Sequence, residues 1–389
     1  MRTYLETHPW ITFQLNLKNA SPRLWMLLGE SQSKCEHLAG VPLLPDIAQH
    51  LHTLFLAKGA LATTAIEGNT LTEEQAVKRV QGQLDLPLSK EYLGQEIDNI
   101  VSACNDIGKA LLEAPPPPLS VEDIQMFNRE VLFKLPKEDE VVPGEIRQYE
   151  VGVGRYRAAP PEDCTFLLSE LCDWLNNTFE GPRDRQVAFG ILKAIMAHLY
   201  IAWIHPFGDG NGRTARLVEF KILLSAGVPF AAAHLLSNHY NQTRSEYYRQ
   251  LDQTHKSNGD VLPFIEYALQ GFVDSLREQI EMVKAQQFHV HWINYIHEVF
   301  KDKDSSTHIR RRRLAIDLLS QQEDVPVSKI RHMTTRMAES YANKTDKTVK
   351  RDINELEKLF LIKKTSKGIR VNRDLIRAFL SPTVRNHEA

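Results

Sequence analysis

Residues 205–216 read His-Pro-Phe-Gly-Asp-Gly-Asn-Gly-Arg-Thr-Ala-Arg, HPFGDGNGRTAR. Pro206 stops whatever helix precedes it, because it has no amide donor and its ring clashes with the preceding turn. Upstream, Val187, Ile191, Leu192, Ile195, Leu199 and Ala202 recur at helical spacing and predict an amphipathic helix from Arg185 to Trp203 with these residues on one side. Downstream, a second helix is predicted from about Gly212 to Ser225. A glycine-rich turn that opens a helix offers unpaired backbone amides and a positive dipole end, which attract anions. Gly210, Asn211 and Gly212 are placed to supply such amides. Arg213 and Arg216 lie three apart on one face of the first turn, where two guanidinium groups can grip phosphate. Asp209 is a hard oxygen ligand suited to magnesium shared with phosphate oxygens. His205 can accept a proton near neutral pH. Taken singly these features are ordinary: a glycine turn is usually only a turn, and a histidine at a helix end usually a cap. In this order they describe a nucleoside triphosphate site with a proton acceptor beside it. The P-loop pattern GxxxxGK(S/T) occurs nowhere in the chain.

Outward from this loop the chain reads as helices with few breaks. Pro45–Leu61 carries Ile47, Leu51, Leu54, Phe55 and Leu61 on one face. The prolines of Ala114–Ser120 separate two apolar helices as a turn inside one domain, with Ser120 and Asp123 as N-cap and N3. Residues 141–160 break the helical pattern, and Val151, Gly152, Val153, Gly154 and Arg155 suggest a short β-hairpin or extended flap. From residue 307 the logic changes. Helices are expected over Ile309–Gln321, near Val327–Ala338 and near Asp346–Leu359, followed by extended pieces at Leu361–Lys364 and Gly368–Val371. Three helices and a small two-stranded wing are the plan of a winged helix-turn-helix. The expected division is therefore an N-terminal helical region at 1–110, a core at 111–290 and a winged helix at 300–380.

The 389 residues, 42% hydrophobic and 25% charged, exclude a mainly disordered chain. No uninterrupted apolar run reaches 18 residues and the first residues lack a signal-peptide pattern, so no membrane association is expected. Cys35, Cys104, Cys164 and Cys172 form no CxxC pair, which argues against a cysteine-built zinc site and for a reducing, cytoplasmic setting. The net charge of −2 hides an asymmetry: residues 307–380 hold 18 basic against 9 acidic side chains, leaving −11 on the remainder. An acidic body with a basic C-terminal module suggests two jobs, and DNA is the partner expected for residues 307–380.

HPFGDGNGRTAR also matches throughout the Fic family signature HxFx(D/E)GNGRxxR. Pro143-Gly144-Glu145-Ile146-Arg147 resembles the segment leading into that family's flap, and Pro160-Pro161 the prolines after it. Tyr247-Tyr248 and Gly259-Asp260-Val261-Leu262-Pro263-Phe264 resemble later family positions. Thr63-Thr64-Ala65-Ile66-Glu67-Gly68 resembles the inhibitory motif (S/T)xxxE(G/N), here N-terminal to the core as in the family's second class. The resemblance spans roughly residues 30–285. It implies an all-α, Fic-type core with a short β-hairpin flap, and transfer of AMP from ATP, with Mg2+, to a Ser, Thr or Tyr hydroxyl of a target protein, the enzyme itself included. Residue by residue, it makes His205 the catalytic base and Phe207 the loop's anchor, and assigns Asp209 to the metal. Gly210, Asn211, Gly212, Arg213, Thr214, Ala215 and Arg216 become the phosphate site, with Tyr248 near the adenine and Ser257 or Asn258 near the nucleotide. Glu67 becomes the inhibitor that competes for Arg216. Residues 151–155 become the target-docking flap, although this glycine-rich version lacks the family's usual aromatic and amide residues there.

Two function classes stay open at this point. One is a protein adenylyltransferase, which can also be read as removing AMP from its target under other conditions. The other is a DNA-binding regulator whose core only senses nucleotide. An intact His205 and Asp209 favour the enzyme, since a pure sensor has no need of the base. A homodimer stays open. The blander readings make His198 a hydrogen-bonded core histidine, Trp203 and Phe207 packing residues, Cys164 and Cys172 structural thiols, and Arg310–Arg313 either a solvated face or a phosphate contact.

Overall fold

Apolar residues at helical spacing run through most of the chain, and the computed structural model is accordingly all-α apart from two short ribbons. The structure describes residues 2–154, 156–179, 181–321 and 323–376. These divide into two compact units, Met1–Ile280 and Glu281–Ala389. In the first unit the helices are α1 (Tyr4–Thr7), α2 (Pro22–Ala39), α3 (Pro45–Ala65), α4 (Glu73–Val80), α5 (Glu91–Glu113) and α6 (Val121–Val131). After an antiparallel ribbon, β1 (Gly152–Val153) and β2 (Tyr156–Arg157), come α7 (Pro161–Thr178), α8 (Gln186–Ile204), α9 (Asn211–Ser225), α10 (Leu235–Gln242) and α11 (Arg244–Lys256). The division between units falls within α12 (Leu262–Val299).

α8 is the central post of the first unit. The spacing of its large apolar residues suggested one buried side, but it is buried nearly all round, including Ala188, Ala194, Met196, Ala197, Tyr200 and Ile201. Small side chains between the large ones let neighbouring helices approach from every direction, as expected of a helix that is apolar on all faces. By length and composition α8 could cross a membrane, yet 83% of that stretch is buried inside the protein. α9 packs beside it, and α5 and α6 pack on α9. The region set apart as residues 1–110 shares this core: Leu24, Leu28, Ala60, Ile97 and Ile100 belong to the same buried cluster as Ile195, Leu217 and Phe272.

The proline run from Pro115 to Pro118 is a turn between α5 and α6, both packed in that core. Ser120 and Asp123 close a full capping box, each side chain accepting the other residue's backbone N–H. α3 begins at Pro45, as its apolar face predicted, and ends at Ala65, before Glu67. Glu67 lies in the turn that follows, and Gly68 (φ 113°) takes a backbone conformation that favours glycine.

The second unit has its own core of Trp292, Ile296, Leu314, Ile330, Met337, Ile353, Leu356 and Ile369. Its elements are α13 (Ser306–Asp317), α14 (Thr335–Tyr341), α15 (Asp346–Lys358) and a ribbon of β3 (Ile362–Lys364) with β4 (Ile369–Val371). The middle helix is shorter than its sequence suggested. Val327–His332 is a 3₁₀ segment, and the Thr334 hydroxyl, accepting from the Met337 amide, starts a separate helix. Residues 377–380 of the expected winged helix lie outside the described residues.

Candidate active site

The loop joining α8 to α9 is held by side chains on three sides. His205 caps α8 in the left-handed conformation (φ 49°, ψ 58°), and Pro206 prevents another turn. Gly210 (φ 76°) is the N-cap of α9, and a Cβ there would lie 3.1–3.2 Å from Asn128, Leu132 and Val131. The Asn211 side chain clips the loop shut by accepting from the Phe207 amide (2.9 Å) and donating to the Phe207 carbonyl (2.8 Å). Asn128, fully buried on α6, donates to the Asp209 carbonyl (2.9 Å) and accepts from the Gly144 amide (2.9 Å). Thr214 is fully buried, and its hydroxyl donates to the Gly210 carbonyl (2.8 Å). Its side chain therefore braces the loop and does not face a ligand.

Arg147 ties the flap to this loop. It is buried, and its guanidinium donates to the carbonyls of His205 (2.7 Å), Tyr149 (2.7 Å) and Ala159 (2.5 Å). A cation at the carbonyl end of α8 also complements that helix dipole. Arg147→Ala strands buried carbonyls, each costing roughly 1–3 kcal/mol. A loss of about 2–4 kcal/mol is expected, read as a lower urea midpoint.

His205 is partly exposed to the cavity below. Burial and the nearby Arg147 charge push its pKa down from 6.5 to about 4, against a backbone hydrogen bond at Ala202 and the carboxylates of Glu67 and Asp209. The imidazole is therefore neutral at physiological pH and able to take a proton.

Both loop arginines are buried and paired with carboxylates. Arg213 meets Glu96 (3.2 Å) and Asp209 (3.3 Å). Arg216, 1% exposed, donates to Glu67 Oε1 (2.5 Å) and to the Thr63 carbonyl (2.9 Å). Burial raises the Glu67 pKa, but the Arg216 charge and hydrogen bond outweigh it and hold the carboxyl below its ordinary value. Glu67 sits directly over the first turn of α9, so that a Cβ on Gly212 would collide with Glu67 Oε1. A carboxylate thus rests where the helix N-terminus favours an anion. Arg213 Nε and Arg216 Nε and Nη1 are buried without hydrogen-bond partners. Buried orphan donors of this kind are uncommon and fit a ligand that brings further acceptors.

A cavity of about 560 Å³ opens beside the loop, lined by Glu67, His205, Gly212, Ala215, Tyr248 and the flap residues Val153 and Gly154, among others. Such a volume suits a nucleotide-sized ligand. Behind it, His198 is fully buried as a core histidine, with its Nε2 2.8 Å from the Tyr247 hydroxyl and its Nδ1 3.2 Å from Glu219. Trp203 and Phe207 are also buried. Burial pushes the Cys164 thiol up to about 11 and that of Cys172 to about 12, consistent with inert structural thiols.

The structure thus brings together Glu67, His205, Asp209–Arg216, Tyr248, Val153 and Gly154. Ser257 and Asn258 do not line the cavity, because they form the turn that ends α11, where the Ser257 hydroxyl donates to the Thr254 carbonyl. Arg155 lies outside the described residues. Glu96, Asn128 and the bracing role of Arg147 were not legible, since each acts from an element remote in sequence from the loop.

The model of the Fic/DOC family matches residues 118–223, which include the loop and both flanking helices. The chain carries a Fic domain. Protein adenylyltransferase fic-1 of Caenorhabditis briggsae is 31% identical over 229 residues, which are 59% of this chain and 42% of that protein. The chain thus spans less than half the length of this curated relative. Among solved structures, a Fic family protein from Desulfovibrio desulfuricans shares the fold (TM-score 0.56, 22% identity), over 95% of this chain and 97% of that one. Fic-1 of Caenorhabditis elegans aligns with TM-score 0.51 and 27% identity over 66% of this chain and 71% of that one.

Proposed function

We propose that this Fic-domain chain is a protein adenylyltransferase that moves AMP from ATP to a Ser, Thr or Tyr hydroxyl of a target protein, itself included. The observation that carries this reading is a neutral His205 beside a helix N-terminus whose buried arginines keep unused donors. Transfer needs little more than positioning, charge stabilisation and one proton acceptor. His205 takes the proton of the target hydroxyl, whose oxygen bonds to the α-phosphorus. The bond from that phosphorus to the α–β bridging oxygen breaks, and pyrophosphate leaves. Amides of Asn211 and Gly212 cradle the phosphates, joined by that of Gly210 once it leaves the Asp209 carboxylate it now bonds, Arg213 and Arg216 grip the outer ones, and Tyr248, with Ala215 nearby, packs against the base. The adenylyltransferase name of the relatives supports the reaction class.

Among the described residues no cluster of three His, Cys, Asp or Glu side chains could hold a metal alone. The half-exposed Asp209 carboxylate at the loop's mouth therefore fits Mg2+ that arrives with the nucleotide, because Mg2+ keeps several waters and needs only one or two carboxylates besides phosphate. When bound, the ion would neutralise phosphate charge. The direct test is incubation with labelled ATP and Mg2+, alone and with candidate proteins, with adducts located by mass spectrometry. Absence of any AMP adduct, with ATP binding intact, would favour a sensor.

The flap supports a target-docking role through the outward backbone of Gly152, not through Val151 or Val153. Ala158 donates to the Val151 carbonyl (3.2 Å), and Val153 faces Tyr156. By antiparallel alternation Val151 and Val153 point their backbone groups inward and Gly152 points outward. A proline at 151 or 153 would break the hairpin itself. Gly152→Pro removes the outward donor and sets a Cβ 3.2 Å from the Tyr156 carbonyl oxygen, and it is expected to slow modification of a protein target several-fold with ATP affinity unchanged. Equal loss of both would mean misfolding, which makes isothermal titration alongside the transfer assay the deciding measurement.

A further inference from the structure

We infer that the second unit binds double-stranded DNA through the outer face of α15. Lys347, Lys350, Arg351 and Asn354 are all exposed and spaced i, i+3, i+4, i+7, which places them on one face. The opposite face, Val349, Ile353 and Leu356, lies in the unit's core. Several cations elsewhere on this unit are cancelled, whereas Lys303, Arg312, Arg313 and Lys329 enter no ion pair among the described residues. Arg310 and Arg311 both bond the buried Asp352 (2.7 and 2.8 Å), Arg331 meets Asp346 (2.9 Å), and Lys364 meets Glu357 (2.5 Å). Arg336 pairs with Asp317 and Lys363 with Asp374. The four-arginine run is thus in part internal scaffolding, and its Asp352 partner is an acid that α15 turns inward. Among the described residues Lys347, Lys350 and Arg351 enter no ion pair, and neither does Lys344 in the turn before α15. Four exposed, unpaired cations, Lys344, Lys347, Lys350 and Arg351, therefore lie on or just before this helix face, although the whole chain carries −2.

The surroundings favour DNA over an acidic protein. α14, a short turn and α15 form a helix-turn-helix whose second helix is the exposed cationic one, and such helices enter the major groove. The ribbon that follows places Lys367 at its turn, as a second backbone contact. The face carries no apolar or aromatic side chain of the kind that anchors a protein interface, since the exposed Leu359 and Phe360 lie beyond the helix's last turn. The Asn354 amide, whose Oδ1 accepts from Lys364 (2.8 Å), links this face to the ribbon. Gly368 permits this geometry, because a Cβ there would collide with the Val325 carbonyl that bridges the ribbon.

The test uses the full chain and a fluorescein-labelled duplex of about 20 base pairs, read by anisotropy. With about four phosphate contacts, affinity is expected to fall about 10²-fold between 50 and 200 mM salt. The double variant Lys350→Ala/Arg351→Ala should weaken binding at least tenfold and make the log–log salt slope shallower by about 1.8. Lys301→Ala, a cation already beside Glu298, should leave binding unchanged. Melting temperatures of the variants should match the parent, since every altered side chain is exposed. If the double variant melts lower, the single charge removals Lys347→Gln and Lys350→Gln give the same reading. No duplex binding at 50 mM salt, an unchanged salt slope in the variants, or equal binding of a polyglutamate of matched charge would overturn the inference. The last result would assign the face to an acidic protein.

Discussion

His205→Ala is expected to lower AMP transfer by about 10²–10⁴-fold, the usual cost of losing a general base. ATP affinity should change little, because phosphate contacts come from the amides of α9 and from Arg213 and Arg216, none of which depends on the imidazole. The fold should survive, since His205 leaves the loop's clips at Asn211, Thr214 and Asn128 intact. The pH profile adds a second reading. With the imidazole pushed down to about 4, the base stays unprotonated from pH 8 to about 5, and kcat/KM should lose its acid limb only near 4. A limb at 6.5 would mean that burial and Arg147 do not depress the histidine that titrates. Stability follows the same sign. As pH falls from 6.5 toward 4 the unfolded chain takes up a proton that the folded His205 refuses, so the parent loses stability there and His205→Ala does not. Transfer at the parent rate by His205→Ala would remove the proposed mechanism altogether.

How much of this was legible in sequence depends on whether a feature is local. Pro206 as a stop, Gly210 as a left-handed N-cap and Ser120–Asp123 as a capping box are decided by a few neighbouring residues, and they appear where their chemistry requires. The all-helical fold was legible for the same reason. α8 was misread as one-sided because a small residue such as Ala194 is compatible with either an exposed or a crowded face, and only packing decides. The Asn128, Glu96 and Arg147 supports were invisible, since each is a common residue type whose meaning comes from the loop it happens to meet. The flap's outward edge could not be read because strand register hangs on a single residue, and a one-residue shift exchanges inner and outer groups. In the second unit, the basic excess was legible, whereas the sorting of paired from unpaired cations was not.

Glu67→Gly is expected to raise both self-modification and target modification by about 10²-fold, the scale on which a displacement responds to an ångström of misplacement. The ground for this is competition for one site. The Glu67 carboxylate lies over Gly212 at the N-terminus of α9 and holds Arg216 at 2.5 Å, where the outer phosphates need the same amides and guanidinium. On the proposed reading, ATP entering beside it would leave its triphosphate displaced, and the α-phosphorus would miss the incoming hydroxyl. Glu67 is 34% exposed against 1% for Arg216, and it stands in a turn beyond α3 that Asn69 staples to α5 through the Leu93 carbonyl (2.9 Å) and Glu96 (2.8 Å). Were Glu67 only solvating the end of α3, its loss would leave transfer unchanged, and that result would refute the reading. A thermal measurement separates the cases further. Without Glu67, Arg216 is a buried charge short of partners, so the nucleotide-free variant should melt below the parent and gain more from ATP than the parent does. Glu67→Gln, which keeps a hydrogen bond but no charge, should fall between the two. Adding His205→Ala to Glu67→Gly should return transfer to background, because freeing the phosphate site supplies alignment but no proton acceptor.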